Sequence, residues 1–191
     1  MTIQLNGLSW NTETQESKIL KLKTDPLEIK ISMLVLKSCF DQCNESFSDY
    51  TLTEVKEKLQ EVRENLYNED GYNLDLDSTE AFFINDEYSL DCLVERQESD
   101  LYVLGCFNAE FIEDFIELDY DTIKTMQESG SFTALGKIIK SSGNLRDMME
   151  SYISLDGAGH AFGSYDHSND EIYYNDSKSD QQFTFLTMRH N

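Results

Sequence analysis

The stretch NAEFIEDFIELDYDTIKTMQESGSFTALGKIIKSSGNLRDMMESYI, residues 108–153, decides the fold, because it reads as four helices in succession. Asn108 opens a helical run, Asn-Ala-Glu-Phe-Ile-Glu-Asp-Phe-Ile-Glu, that extends to Glu117. Asp119 or Asp121 caps a second helix carrying Ile123 and Met126, and Gly130 stops it. A third spans about Phe132–Lys140, with Leu135, Ile138 and Ile139 inward. Gly143 ends that helix, and Asn144 caps a fourth through Met148, Met149, Tyr152 and Ile153. The physical signs are short polar side chains that accept from free first-turn amides, and glycines that take the left-handed conformation past the last turn. Their spacing predicts a helical subdomain over 108–154.

Upstream, Thr2–Trp10 alternates loosely through Ile3, Leu5, Leu8 and Trp10 and reads as one strand, followed by a polar loop over 11–17. Asp25-Pro26 starts a helix, with Asp25 as its cap and Leu27, Ile31, Leu34, Val35 and Ser38 on its inner side. The clearest upstream helix is capped at Thr53 and carries Val55, Leu59, Val62 and Leu66, with Gly71 just past its end. Between 73 and 107 the short apolar runs Ala81–Ile84, Cys92–Val94 and Leu101–Phe107 fit strand or helix equally well.

Downstream of Leu155 the character changes again. Gly157, Gly159 and Gly163 precede aromatic segments at 161–165, 171–174 and 182–188 that read as a β-meander. The expected fold class is therefore α+β, a helical middle with a small antiparallel β-meander at the C-terminus. The expected organisation is an N-terminal α+β region at 1–107, a helical subdomain at 108–154, and a meander at 155–191 packed on it, all in one compact unit.

Charge bears most directly on function. With 37 acidic and 15 basic residues, the formal net charge is −22. Such a chain repels DNA, RNA and anionic membranes and attracts basic surfaces, including those of proteins that bind nucleic acid. The charge is uneven. Between Arg63 and Lys124, Arg96 is the only basic residue, so a stretch of sixty residues carries most of the excess.

Within that stretch, Glu110, Glu113, Asp114 and Glu117 fall at i, i+3, i+4 and i+7, one face of the expected helix, and Asp119 and Asp121 extend the run. Phe111, Ile112, Phe115, Ile116 and Leu118 take the other face. Carboxylates one turn apart lie about 5–6 Å from one another, against one phosphate per ~3.4 Å along a DNA strand. The densities are comparable, so such a face can imitate a nucleic-acid backbone; the plain alternative is a solvated helix face. On the helix after Thr53, Glu54, Glu57, Glu61 and Glu64 alternate with Lys56, Lys58 and Arg63, and Glu54 with Lys58 reads as an ordinary stabilising i,i+4 pair.

No reaction is named by a motif. Cys39, Cys43, Cys92 and Cys106 lack the paired spacing of a zinc site and read as free thiols, which suits a reducing cytoplasm. Asp75-Leu-Asp-Ser-Thr-Glu80 lacks the glycine and the distal glutamate of a calcium loop, whereas Asp156, His160, Asp166 and His167 form a constellation in which a metal or a general base is conceivable. No activated nucleophile accompanies them, and Gly157 and Gly159 read as turn residues beside a His160 held in a sheet. No metal, cofactor or catalytic residue is therefore assigned. No apolar stretch is long enough to cross a membrane, and the first residues lack the pattern of a signal peptide.

In length, charge and lack of a catalytic motif, the chain resembles the small acidic anti-restriction and anti-CRISPR proteins of phages and plasmids. Asp156-Gly-Ala-Gly-His160 with Tyr165-Asp166 is also similar to the ending of proteins on mobile elements, a likeness that transfers no site residue. The first resemblance implies an inhibitor that binds a nucleic-acid-processing enzyme by mimicking nucleic-acid charge, with Glu110, Glu113, Asp114, Glu117, Asp119 and Asp121 as partner-binding residues. Other functions fit the same composition: an immunity or antitoxin-like protein that neutralises a basic toxin, or a small hydrolase or metal-dependent enzyme using the histidine-bearing tail. The aromatic tail also offers a surface for homodimerisation.

Overall fold

The computed structural model describes residues 2–5, 8–11, 16–19, 27–77, 79–162, 169–176 and 181–190. The fold class is α+β, with nine α-helices among the described residues and antiparallel sheets, the C-terminal strands included. By contact the chain divides into two units, one formed by Met1–Ser89 with Phe162–Asn191 and the other by Leu90–Ala161.

The first unit opens with three short strands, β1 (Thr2–Leu5), β2 (Leu8–Asn11) and β3 (Glu16–Ile19), paired antiparallel in that order. The single strand expected over Thr2–Trp10 is thus two. Leu5 pairs with Leu8, and the two residues between them in sequence are Asn6-Gly7, the dipeptide most favoured in two-residue hairpins. Helix α1 (Leu27–Gln42) follows; the expected cap at Asp25-Pro26 lies outside the described residues. Its buried set, Ile29, Ile31, Ser32, Met33, Val35, Leu36, Ser38, Cys39 and Phe40, runs round most of the helix, as befits a helix covered on several sides. It packs on α2 (Leu52–Asn65) and on the sheet described next.

The cap of α2 is Thr51, two residues earlier than expected. Its side chain accepts from the Glu54 amide, and the Glu54 carboxylate accepts from the Thr51 amide at 2.6 Å, a reciprocal capping box. Glu54 is therefore not the partner of Lys58, which instead pairs with Glu61 at 3.4 Å.

Strands β4 (Tyr72–Asp75), β5 (Glu80–Asn85), β6 (Asn169–Asp176) and β7 (Gln181–His190) form an antiparallel sheet in the order β4-β5-β7-β6. The run Ala81–Ile84, ambiguous in sequence, is a strand with both faces buried. Ala81 and Phe83 join the core with Phe40, Leu74 and Phe185, while Phe82 is buried and stacks on Phe162 at 5.6 Å. Aromatic packing dominates here: Phe40 stacks on Phe47 at 4.2 Å and meets Tyr50 edge-on at 4.9 Å. Gly71 enters β4 at φ +68°, and an added Cβ would lie 2.2 Å from the tip of the Phe82 ring, so no other residue fits without movement. Of the three segments expected in the tail, 171–174 and 182–188 lie in β6 and β7. Ala161 and Phe162 are helical, and 163–165 lie outside the described residues.

The second unit is helical throughout. Its helices are most of α3 (Asp86–Ser99), then α4 (Leu101–Gly105), α5 (Ala109–Glu113), α6 (Tyr120–Glu128), α7 (Phe132–Ser142), α8 (Leu145–Asp156) and α9 (Ala158–Phe162), whose last residue belongs to the first unit. The runs Cys92–Val94 and Leu101–Gly105 are thus helical, and the unit begins at Leu90, upstream of Asn108. Leu104, Ile112, Ile123, Leu135, Ile139, Met148 and Met149 are buried, whereas Ile138, expected inward, is exposed. Helices α4 and α7 touch backbone to backbone: a Cβ on Gly136 would lie 1.8 Å from the Leu101 carbonyl oxygen, and one on Gly105 would lie 2.1 Å from that of Phe132.

Candidate functional site

The six carboxylates assigned to partner binding do not share one helix. The run from Asn108 folds as α5 for only five residues. Asn108 is its cap, accepting from the Glu110 amide at 2.9 Å, and Asp114 closes it. The break has an electrostatic reason. Extending α5 to Glu117 would place Glu113, Asp114 and Glu117 at the negative end of the helix, where carboxylates are unfavourable. Beyond the break, the Phe115 carbonyl accepts from Asn144 Nδ2 at 2.8 Å, so that backbone group is satisfied without a helical partner.

The same acids are favourable at the start of the next helix. Asp119 caps α6, accepting from the Thr122 amide at 2.8 Å and from its hydroxyl at 3.1 Å. These two bonds, the amide first, hold the Asp119 carboxyl below the usual carboxylate range. Glu113 Oε1 accepts from the Tyr120 amide at 3.0 Å, satisfying a second first-turn donor of α6. Asp121 stands in the same first turn. Glu113, Asp119 and Asp121 are thus gathered at one helix start, and two of them have structural work there.

Glu110, Asp114 and Glu117 are distributed along the chain leading to that point, and all six side chains are exposed. Among the described residues, none of Glu110, Asp114, Glu117 and Asp121 has a basic partner within 4 Å. Glu110 lies on the rim of an open depression of about 490 Å³, with Phe107, Tyr120, Lys124, Glu128 and Phe132. The i, i+3, i+4, i+7 row is therefore broken after Asp114, and of the six only Glu113, Asp119 and Asp121 are brought to one helix start.

On the apolar side, Ile112 and Ile116 are buried and Phe111, Phe115 and Leu118 are half-buried. Phe111 stacks on Phe107 at 5.8 Å and meets Phe115 at 5.2 Å, and Tyr152 stands edge-on to Phe107 at 5.1 Å. Two aromatics of this unit to which the carboxylate pattern does not point are exposed, Tyr102 at 55% and Tyr120 at 38%. Exposed tyrosines among charged groups are common anchors of protein interfaces. The visible signal was Tyr120 between two aspartates at a helix start.

Between Arg63 and Lys124 the chain carries eighteen acidic residues and one basic residue, which accounts for −17 of the net −22. All eighteen are exposed. Asp91 pairs with Arg146, and Glu98 with Lys140 at 3.4 Å.

In the histidine-bearing tail, Asp156 ends α8 and His160 lies exposed on α9, not in a sheet. Gly157, at φ +83°, is the residue that stops α8. Asp166 and His167 lie outside the described residues. Among the described residues, no three His, Cys, Asp or Glu side chains come together as metal ligands would. The four thiols are free; Cys39, Cys43 and Cys92 are buried and Cys106 is exposed. Burial, reinforced by the neighbouring Cys43, pushes the Cys39 thiol far up from its ordinary value. Among the described residues, no helix is long and apolar enough to cross a membrane.

Comparison with protein-family models, with curated proteins and with solved structures gives no match for this chain.

Proposed function

We propose that this protein is an acidic inhibitor of the anti-restriction or anti-CRISPR type. In this reading it binds a basic nucleic-acid-processing protein at the surface that protein uses for nucleic acid. The observation that carries the reading is the charge of the stretch between Arg63 and Lys124: eighteen exposed carboxylates against Arg96. A chain needs no such imbalance to fold, and self-repulsion weakens the compact state. The imbalance suits a surface that must attract a cationic groove and displace an anionic polymer from it. The protein acts by binding, not by catalysis, and does so in the cytoplasm, where its four free thiols stay reduced.

The test is capture of a partner from host lysate at low salt, release with a salt gradient, and competition by added DNA. A nuclease or restriction subunit displaced by DNA supports the reading, whereas a basic toxin that DNA leaves bound transfers it to the neutraliser class. Charge reversal then locates the surface. Glu113 and Asp119 must be left alone, because removing them uncaps α6. The variant to make is Glu110→Lys, Asp114→Lys, Glu117→Lys and Asp121→Lys together. It should abolish capture with helix content unchanged by circular dichroism. Undiminished capture would remove the α5–α6 connection from the surface.

A further inference from the structure

The sheet β4-β5-β7-β6 has two edges that are built differently. Strand β4 has four residues, and α2 packs against it. Strand β6 has eight, and among the described residues no strand pairs with its outer edge. Its side chains alternate. Asp170 accepts from Ser38 of α1 at 3.0 Å, and Ile172 and Tyr174 pack on the core that α1 covers. Glu171, Tyr173 and Asn175 fall on the opposite side and are exposed, Tyr173 by 58%. The Tyr173 hydroxyl donates to Glu171, which holds the two together on that side.

Exposed edges are usually blunted by proline, lysine, a bulge or a covering element. Strand β6 has no proline and no lysine, and its register with β7 runs unbroken from Asn169↔Met188 to Asp176↔Gln181. An unbroken edge presents backbone donors and acceptors that an extended chain can complete. Charge selects the occupant. Residues 169–176 include Asp170, Glu171 and Asp176 and no basic residue. A second copy would bring another −22 to the edge and be repelled. We propose that β6 accepts an extended, lysine- or arginine-bearing segment of the partner by strand addition, a proposal that rests on the partner being basic, as argued above.

The test uses the full chain, labelled with nitrogen-15. The probe is an acetylated and amidated octapeptide alternating lysine and threonine. Its control carries N-methyl groups on alternate backbone amides, which keep the charge and remove one pairing edge. The expected result is amide shifts and slowed hydrogen exchange at β6, with the methylated peptide binding about tenfold or more weakly. Equal binding of the two peptides overturns strand addition and leaves charge attraction standing. Shifts confined to residues 90–161 overturn it in the same way. Protection of β6 that grows with protein concentration without peptide overturns it in favour of a second copy. Failure of both peptides to bind at low salt counts against the basic-partner reading itself.

Discussion

Substituting alanine for Gly136 tests the packing of the helical unit. On helix propensity alone the change stabilises α7, because alanine is favoured over glycine by about 1 kcal/mol in a helix interior. The geometry reverses the sign. The new Cβ would lie 1.8 Å from the Leu101 carbonyl oxygen, and ordinary contact begins at 3.4 Å, so the α4 backbone must retreat by about 1.6 Å. The obstacle is main chain, which cannot rotate aside as a side chain can. Overpacking costs about 1–3 kcal/mol and occasionally more. With the gain in propensity deducted from a cost at the upper end, the net loss is about 2 kcal/mol. For a chain of this size that lowers the melting temperature by about 4–8 °C. Thermal and urea unfolding followed by circular dichroism measure it. Gly105→Ala, whose Cβ would meet the Phe132 carbonyl oxygen at 2.1 Å, should act alike, and the double variant should cost less than the two singles added. The separation forced by the first methyl already makes room for the second. A Gly136→Ala protein more stable than the parent by the propensity value would refute the close approach of α4 and α7.

Thr51→Ala should lower stability by about 1 kcal/mol in urea unfolding, while Thr53→Ala should be close to neutral, which identifies the true cap of α2. Asp119 has a folded pKa below its unfolded one, so its contribution to stability is full above the unfolded value and is lost as pH falls through the folded value. Asp119→Asn should therefore flatten the acid limb of the stability–pH curve below about pH 4, and an unchanged acid limb would remove Asp119 as its source. Under native conditions iodoacetamide should label Cys106 first, and Cys39 only after unfolding, as read by peptide mass spectrometry; native labelling of Cys39 would contradict its burial.

What could be read ahead of the structure was set by local chemistry. Helices α6, α7 and α8 announce themselves through Asp119, Gly130 and Gly143, because caps and stops act within one turn; Asn144 does precede α8 as expected, but its side chain makes no capping bond there and donates instead to the Phe115 carbonyl. Segments 81–84, 92–94 and 101–105 gave no such signal. With both faces of β5 buried, its run Ala-Phe-Phe-Ile lacks the alternation that marks a half-exposed strand. Thr51-Leu-Thr-Glu54 carries a capping-box pattern, since the glutamate stands three residues after Thr51, a spacing that Thr53 does not have. In the candidate site, residue type was legible and arrangement was not. The i, i+3, i+4, i+7 row presumed an unbroken helix, whereas α5 closes at Asp114 and the Phe115 carbonyl just beyond it is satisfied by Asn144, from a distant part of the sequence.

The position of β7 bears on how the chain is made. It pairs with β5 on one side and β6 on the other, so it lies inside the sheet, yet 95 residues separate Asn85, where β5 ends, from Gln181, where β7 begins. At about 5–20 residues per second, a ribosome needs roughly 5–20 s to cross that interval. Throughout it, Ala81-Phe82-Phe83-Ile84 can have β4 on one side but lacks β7, its neighbour on the other. The helical unit, encoded wholly within the interval and rich in contacts between nearby residues, can fold in the meantime. A nascent chain halted before Gln181 should therefore hold a folded helical unit beside a strand that chaperones recognise.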